Sequence, residues 1–269
     1  MPRTSSENCP YDIEYRSQSA DEKVMSEILL RRAYRKPLLN FDVEPDDVWI
    51  DLGAHIGIFS LYAVAQGAKC VYSYEPNPES FELMQRNVRR NRLLGAINPS
   101  RVAIVAKRDA PTMTLYVPTD PQRNWRASVF RLNKSKALET EVKTFNEVIR
   151  AHPDATAVKL DIERAEIDIL RDPDIELDNI NKLVFEYTMA SYAIDDIERN
   201  LTSKGFYVHV QPSTRTRYKG NDGKEFNGMM DKVIFAVRDP DGCIRKAVAK
   251  RASKNVVRAK RSVPTTAAA

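Results

Sequence analysis

Short apolar runs alternate with amphipathic stretches along most of the chain. Seven runs are rich in the β-branched and aromatic residues that favour strands, at Val48–Leu52, Lys69–Glu75, Arg101–Ala106, Ala157–Ile162, Lys182–Tyr187, Phe206–Val210 and Lys232–Val237. The spacing predicts helices between them: from near Gly57, over Glu79–Asn91, up to Arg171 and over Ile194–Lys204. This alternation predicts an α/β fold with helices on both faces of a mainly parallel sheet.

The two ends of the pattern differ from its middle. The last two strands follow each other without an obvious helix, which predicts an antiparallel edge pair. Before the first strand, Ala20–Lys36 is predicted to be helical and to end at Pro37. Thr112–Val117 is predicted to be an extra strand or part of a hairpin. We therefore expect a Rossmann-like, doubly wound sheet of seven strands, mainly parallel with an antiparallel edge strand pair, after an N-terminal helical extension over residues 1–40.

The composition narrows the class of protein. The chain has 269 residues, of which 42% are hydrophobic and 29% charged, and this suits one large domain with short extensions. No apolar run reaches the roughly 18 residues of a membrane span, and the polar N-terminus is unlike a secretory signal. The three cysteines lie far apart, which predicts neither a disulfide framework nor a zinc site. We expect a cytoplasmic protein without a membrane partner, in an oligomeric state that the sequence leaves open.

The positive charge is concentrated at one end of the chain. The net charge is +5, yet from Arg238 onward nine lysine and arginine residues face two aspartates, and the preceding residues hold 33 basic and 35 acidic side chains. Residues 239–269 are therefore expected to form a basic tail, either disordered or a frayed helix. The slightly acidic body does not favour a nucleic-acid surface, although the tail leaves nucleic acid as a less favoured partner.

The strongest motif links the first predicted strand to the helix after it, Val48-Trp-Ile-Asp-Leu-Gly-Ala-His-Ile-Gly-Ile-Phe-Ser60. Gly53 permits a sharp turn and a close approach to a ligand, and Gly57 permits close contact between helix and strand. We expect peptide N–H groups of this turn to face the crevice at the carboxyl ends of the strands.

A carboxylate follows at the tip of the second predicted strand, where Glu75 stands 22 residues after Gly53. An acid there accepts both hydroxyls of a ribose. This favours S-adenosylmethionine, which has free ribose hydroxyls and no phosphate; Asp51 is expected to accept hydrogen bonds from the turn or to hold the ammonium of its methionine part. A nicotinamide enzyme would use G-x-G-x-x-G, whereas Gly53-Ala-His-Ile-Gly57 lacks the middle glycine. The plainer alternative is that both glycines serve only a tight turn, and the presence of Asp51 and Glu75 at the strand tips makes this alternative less favoured.

Three stretches, IDLGAHIGIFSLYA, YSYEPNPESFELMQRNVRRN and VKLDIERAEIDIL, occur in that order. Together they resemble the FkbM family of methyltransferases over roughly Val48–Pro212. The resemblance implies the fold of class I S-adenosylmethionine-dependent methyltransferases, a catalytic domain over residues 41–238, and O-methylation of a sugar or another small-molecule hydroxyl.

The resemblance also implies roles for residues around the cofactor. Asp51, Gly53 and Gly57 are expected to frame its methionine end, and Glu75 is expected to hold the ribose. Pro76 and Asn77 are expected to shape the edge of the ribose pocket. Ile104 or Val105 is expected to flank adenine.

Two positions depart from the family pattern. His55 stands where the family usually has asparagine, and it is expected still to hydrogen-bond near the cofactor, although a histidine in a turn is as often structural. Arg164 replaces a glycine that normally leaves room near the acceptor. We expect this change to alter acceptor choice or the local turn.

Three acids are expected to converge on the acceptor side of the crevice. Asp161 and Glu163 end the fourth predicted strand, and Glu186 lies near the tip of the fifth. A hydroxyl is a poor nucleophile, and a nearby carboxylate can act as general base. Lys159 is expected either to pack in the core or to form an ion pair, and Glu166 to be an acid near a helix N-terminus. The three acids could also hold Mg²⁺, but nothing in their spacing requires a metal, and none is predicted.

Two other functions stay open at this point. One is an RNA methyltransferase that uses the basic tail as a tether to phosphates, and the other is an inactive binding module that kept the fold. The loop around Trp125 bears on the acceptor, because this aromatic side chain either stacks on a ligand or anchors the loop to the core.

Overall fold

A computed structural model describes residues 1–123, 125–187, 191–210, 216–219, 225–228 and 232–250. Its central layer is a mixed sheet of seven strands in the order β11-β14-β10-β9-β3-β4-β5. Their bounds are β3 (Val48–Leu52), β4 (Cys70–Tyr74), β5 (Ile97–Ser100), β9 (Ala157–Leu160), β10 (Lys182–Tyr187), β11 (Phe206–His209) and β14 (Lys232–Arg238). Strands β5, β4, β3, β9 and β10 are parallel, and β14 is antiparallel to both β10 and β11. The antiparallel pair at the edge was expected from the sequence.

Among the described residues, seven further strands lie outside this sheet. They form two hairpins and a three-stranded sheet of order β6-β8-β7, with the bounds β1 (Arg3–Ser6), β2 (Cys9–Glu14), β6 (Ala103–Val105), β7 (Thr112–Pro118), β8 (Ser135–Thr144), β12 (Thr216–Lys219) and β13 (Glu225–Gly228). Ala103 and Ile104 of β6 and Leu115 of β7 line the cleft described below, so the three-stranded sheet contributes to its wall.

Helices cover both faces of the main sheet. They are α1 (Asp21–Met25), which continues as a π-helical stretch over Ser26–Leu30, then α2 (Ile58–Ala65), α3 (Pro78–Arg90), α4 (Phe145–Ala151), α5 (Ala165–Arg171) and α6 (Ser191–Ser203). Short 3-10 turns occur at Pro37–Leu39 and Pro121–Arg123, and residues 243–250 are helical. Within the described part of the chain, no helix is long and apolar enough to cross a membrane.

The alternation of side chains along β3 shows how the core is divided. Val48, Ile50 and Leu52 join the apolar cluster under α4, α5 and α6, whereas Trp49 joins the cluster under α2 and α3. All five residues of β3 are buried, as expected for a central parallel strand covered on both faces. The next-to-last residue of the strand is polar and buried: this residue, Asp51, begins the site.

The N-terminal residues differ from the expected helical extension. They contain the β1–β2 hairpin as well as a helix, and the helix ends at Leu30 instead of Lys36. Arg32 adopts a left-handed conformation, with φ of 50°, which stops the helix before Pro37, and Pro37 instead begins a 3-10 turn. The hairpin and helix pack on the same face as α2 and α3. The predicted basic tail lies mostly beyond residue 250 and so outside the described residues.

The third strand of the main sheet also differs from its prediction. The sequence favoured Arg101–Ala106, but β5 occupies that place in the sheet, and part of the predicted run forms β6, which pairs with β8. Strand β5 has the sequence INPS, which is weak in strand-forming residues. Its Pro99 is tolerated because β5 is an edge strand.

Candidate functional site

The carboxyl ends of β3, β4 and β9 open into a cleft of about 780 Å³, counting its open mouth. Gly53, Ala54 and His55 line one side of it, Glu75 and Pro76 a second side, and Asp161 and Glu163 a third. These are the ends of adjacent parallel strands, where ligands bind in open α/β sheets. The cleft therefore brings together residues from three separate parts of the sequence.

Two glycines in the turn after β3 are required by their surroundings. Gly53 has φ of 79°, and a Cβ atom there would lie 1.8 Å from the carbonyl oxygen of Asp161. Gly57 has φ of 86°, and a Cβ atom there would lie 3.0 Å from Met84 Cγ. The N–H groups of Gly53 and Ala54 both donate to the carbonyl of Tyr74. These two N–H groups therefore do not face the cleft, although the sequence predicted that they would.

Asp51 is buried and bonded on both carboxylate oxygens. Oδ1 accepts a hydrogen bond from Lys159 Nζ at 2.9 Å, and Oδ2 accepts one from Ser60 Oγ at 2.7 Å. Burial opposes the charge on Lys159, but the Asp51 and Asp161 carboxylates raise the pKa of this lysine above its usual value. Asp51 therefore pairs with the ammonium of Lys159, and ion pairing was one of the two roles that the sequence left open for this lysine.

Glu75 is buried at the tip of β4. Its Oε2 accepts a hydrogen bond from the N–H of His55 at 2.8 Å, and its Oε1 accepts one from the N–H of Asn77 at 2.9 Å. Burial raises the pKa of Glu75 to about 7. Each carboxylate oxygen has two acceptor sites, so each retains one for a ligand. This arrangement fits two neighbouring hydroxyl groups such as those of a ribose.

His55 is buried in the turn and adopts a left-handed conformation, with φ of 54°. Its Nε2 lies 3.0 Å from Arg16 Nη2 and 3.2 Å from Asp21 Oδ1. Burial lowers the pKa of His55 to about 4, so the ring is neutral at pH 7. The sequence placed His55 at the cofactor site but not in contact with the N-terminal residues.

Of the other residues expected around the cofactor, some line the cleft and others do not. Pro76 and Ile104 line the cleft together with Val102 and Ala103, which supply an apolar wall suited to a flat base. Val105 lines a different cavity, so of the two residues offered for adenine the cleft contains Ile104. Asn77 caps α3 by accepting from the N–H of Glu79, and its buried Nδ2 has no protein partner.

The three acids expected at the acceptor side do lie together. Oxygens of Asp161, Glu163 and Glu186 are within 4.8 Å of one another. Asp161 Oδ2 accepts a hydrogen bond from Tyr34 at 3.0 Å. Burial and the neighbouring Asp161 carboxylate raise the pKa of Glu163 to about 8. Arg126 Nε lies 3.6 Å from Glu163 Oε2. Three carboxylates at this spacing have the chemistry of a site for a hard cation or for a proton acceptor.

A second cavity adjoins the first at Asp161. Trp125 lines both cavities, and the second one is also lined by Glu186 and by Lys23, Glu27, Arg31 and Tyr34 of the N-terminal residues. Lys23 and Arg126 lie over the ring of Trp125, 5.1 Å and 5.3 Å from its centre. Sequence reasoning missed Tyr34 and its neighbours, because no local pattern indicates that they reach the end of β9.

The turn after β9 explains the glycine that the family pattern expects. Glu163 and Arg164 are both left-handed, with φ of 56° and 90°, and glycine favours that region. Glu166, predicted to stand near a helix N-terminus, is in the first turn of α5 and accepts a hydrogen bond from the N–H of Ile162.

Several known methyltransferases are similar to this chain. The Methyltransferase FkbM domain family matches residues 51–208. Methyltransferase 1 of Beauveria bassiana is 26% identical over 62% of this chain and 75% of its own length. The 31-O-demethyl-FK506 methyltransferase FkbM of Streptomyces tacrolimicus is 26% identical over 68% of this chain and 80% of its own. The solved precorrin-6y C5,15-methyltransferase of Geobacter metallireducens GS-15 superposes with a TM-score of 0.44, at 13% identity over 84% of this chain and 94% of that one.

Proposed function

Because this chain belongs to the FkbM methyltransferase family, we propose that it transfers the methyl group of S-adenosylmethionine to a hydroxyl oxygen of a sugar or another small molecule. One observation carries the proposal: a single cleft joins the glycine turn, the buried Glu75 and the Asp161 carboxylate. The oxygen acceptor is further supported by the relative whose name describes methylation of a 31-O-demethyl compound.

The cleft offers the groups that S-adenosylmethionine needs. Glu75 retains an acceptor site on each oxygen for the ribose hydroxyls, and the unpartnered Asn77 Nδ2 is a donor beside it. Val102 and Ile104 provide an apolar surface for adenine. When bound, the cofactor supplies an electrophilic methyl group on a sulfonium. Lys159 already neutralises Asp51, so we assign Asp51 to holding the end of β3 in place and not to direct contact with the methionine ammonium.

Asp161 is the best placed of the three acids to take the acceptor proton. It lines both cavities, whereas Glu163 lines the first and Glu186 the second. In methyl transfer the acceptor oxygen attacks the methyl carbon in line with the bond that breaks, and its proton must leave. The Tyr34 hydroxyl holds the Asp161 carboxylate by a hydrogen bond and so fixes the direction from which this base meets an acceptor.

The second cavity suits a small hydroxylated acceptor. It combines the aromatic ring of Trp125 with the carboxylates of Glu27 and Glu186 and the cations Lys23 and Arg31. Aromatic faces pack on apolar ring surfaces, and charged side chains hydrogen-bond hydroxyl groups. These features support a carbohydrate-like acceptor over a polyanion such as RNA, because both signs of charge occur among the described lining residues.

Two measurements test the proposal. Calorimetric titration with S-adenosylmethionine and, separately, with NAD is expected to show binding of the first alone. Incubation with methyl-labelled cofactor and pools of glycans, small alcohols or RNA, followed by mass spectrometry, is expected to show label on an oxygen of a small acceptor. Binding of NAD instead would reject the cofactor assignment, and label on RNA alone would reject the acceptor class.

A further inference from the structure

The N-terminal arm, defined as residues 3–39, precedes the residues that the family match covers, 51–208. It is nevertheless fastened to the cofactor side of the site at several points. Strand β2 lies along α3, where the N–H groups of Asp12 and Glu14 donate to the side chains of Asn91 and Asn87, each at 2.8 Å. Asn87 also donates to the carbonyl of Ile56, in the turn after β3. These bonds hold the arm against the turn that carries His55.

At the end of β2 the arm forms a buried ion pair. Arg16 donates through Nε and Nη2 to both oxygens of Asp21, at 3.0 and 2.9 Å, and Asp21 is fully buried. Burial opposes ionisation of Asp21, but the Arg16 guanidinium lowers the pKa of its carboxyl below the usual value. The pair is thus charged and rigid, since two parallel hydrogen bonds fix the plane of the guanidinium.

This pair reaches from the arm into the cofactor site through one side chain. Arg16 Nη2 contacts His55 Nε2 at 3.0 Å and Ser80 Oγ at 3.2 Å, and Ser80 lies in the first turn of α3. His55 in turn donates its backbone N–H to Glu75. A residue other than glycine seldom adopts the left-handed conformation that His55 needs for this bond, so it needs support from its side chain.

We propose that the N-terminal arm is a working part of the cofactor site, in which Arg16 and Asp21 are positioning residues that hold His55 so that its N–H orients Glu75. The inference rests on the proposed function, because it concerns how the ribose of the cofactor is held. It assigns a role in cofactor affinity to residues that neither line the cleft nor belong to the matched family domain.

The test measures affinity of the full chain for S-adenosylmethionine and for its product, S-adenosylhomocysteine, by calorimetry. Asp21→Asn and Arg16→Gln are each expected to raise both dissociation constants by about tenfold, the effect of losing roughly one charge-assisted hydrogen bond. Glu14→Gln is the matched control. It removes an ion pair between the arm and Arg86 and Arg90 of α3 without touching His55, and it is expected to leave both constants unchanged.

A second-site change distinguishes positioning from general loosening of the arm. Asparagine adopts the left-handed conformation more readily than histidine does, so it depends less on side-chain contacts. Adding His55→Asn to Arg16→Gln is therefore expected to restore most of the affinity. Thermal unfolding of each variant verifies that it folds, and if Asp21→Asn does not fold, the Arg16→Gln pair of variants decides. Affinity within twofold of the natural chain in folded Arg16→Gln, an equal loss in Glu14→Gln, or no recovery in the double variant would overturn the inference. A natural chain that binds neither ligand would instead reject the proposed function.

Discussion

Asp51 and Asp161 lie at the carboxyl ends of neighbouring parallel strands, β3 and β9, and the two carboxylates have opposite surroundings. Asp51 is fully buried and bonded to Lys159 and Ser60. The Asp161 side chain is 27% exposed, lines both cavities and receives a hydrogen bond from Tyr34. Lys159 lies between them, 2.9 Å from Asp51 and 3.9 Å from Asp161. The difference shows that an acid at a strand tip is structural when a buried cation satisfies it and available for chemistry when it faces a cavity.

The largest expected effect comes from removing the cation that neutralises the buried Asp51 carboxylate. Lys159→Met leaves the Asp51 carboxylate buried without its cation, and we expect a loss of roughly 3–5 kcal/mol in the free energy of unfolding, measured by urea denaturation. Arg150→Met is the control, because Arg150 forms an ion pair with Glu176 at an exposed position, and it is expected to lose about 1 kcal/mol or less. Equal losses in the two variants would contradict the structural role of Asp51 and Lys159.

The cavity-facing side is tested by Asp161→Asn. This change removes the proposed proton acceptor while keeping the shape of the side chain, so we expect turnover to fall by about 10²–10⁴-fold with little change in cofactor affinity. Asp168→Asn, at an exposed position on α5, is expected to keep full turnover. Turnover of Asp161→Asn within twofold of the natural chain, measured with a labelled cofactor, would exclude Asp161 as the base.

A smaller effect concerns Glu75, a third acid at a strand tip that is buried yet faces the cleft. Burial raises its pKa to about 7, and only the ionised form accepts hydrogen bonds on both oxygens. Affinity for S-adenosylmethionine is therefore expected to rise between pH 6 and pH 8. Glu75→Gln is expected to lower the affinity about 10–100-fold at pH 8 and to remove this part of the pH dependence. The Gln variant also controls for titration of the cofactor's own amino group, and an unchanged pH profile in it would refute the assignment.

The smallest expected effect is on the stability of the protein and concerns the turn after Asp161. Arg164 has φ of 90°, so Arg164→Gly is expected to stabilise the protein by about 0.5–1 kcal/mol through relief of backbone strain, less the entropy that glycine loses on folding. Arg171→Gly, at the helical end of α5, is the matched control and is expected to destabilise by about 1 kcal/mol. Thermal unfolding measures both, and a shift of the same sign in the two variants would contradict the strain at Arg164.

Much of the site could be predicted from local sequence because strand tips in a parallel sheet meet at one edge. The motif around Gly53 and the acid Glu75 are each recognisable within a few residues, and both line the cleft. The distinction between Ile104 and Val105 could not be predicted, because the strand that carries them leaves the main sheet and joins β8. The hydrogen-bond partner of the turn's N–H groups could not be predicted either, because Gly53 and Ala54 donate to Tyr74 of the next strand.

The sequence by itself determined the family, the alternation of strands and helices, and the acids that end β4 and β9. These properties are written in short segments, where turn geometry and side-chain periodicity act over a few residues. Only the tertiary structure decided which acids are neutralised and which are exposed to a ligand. Tyr34 reaches Asp161 across 127 residues of chain, and Arg16 reaches His55 across 39. Such contacts arise from how the N-terminal arm packs on the sheet, and no local pattern encodes them.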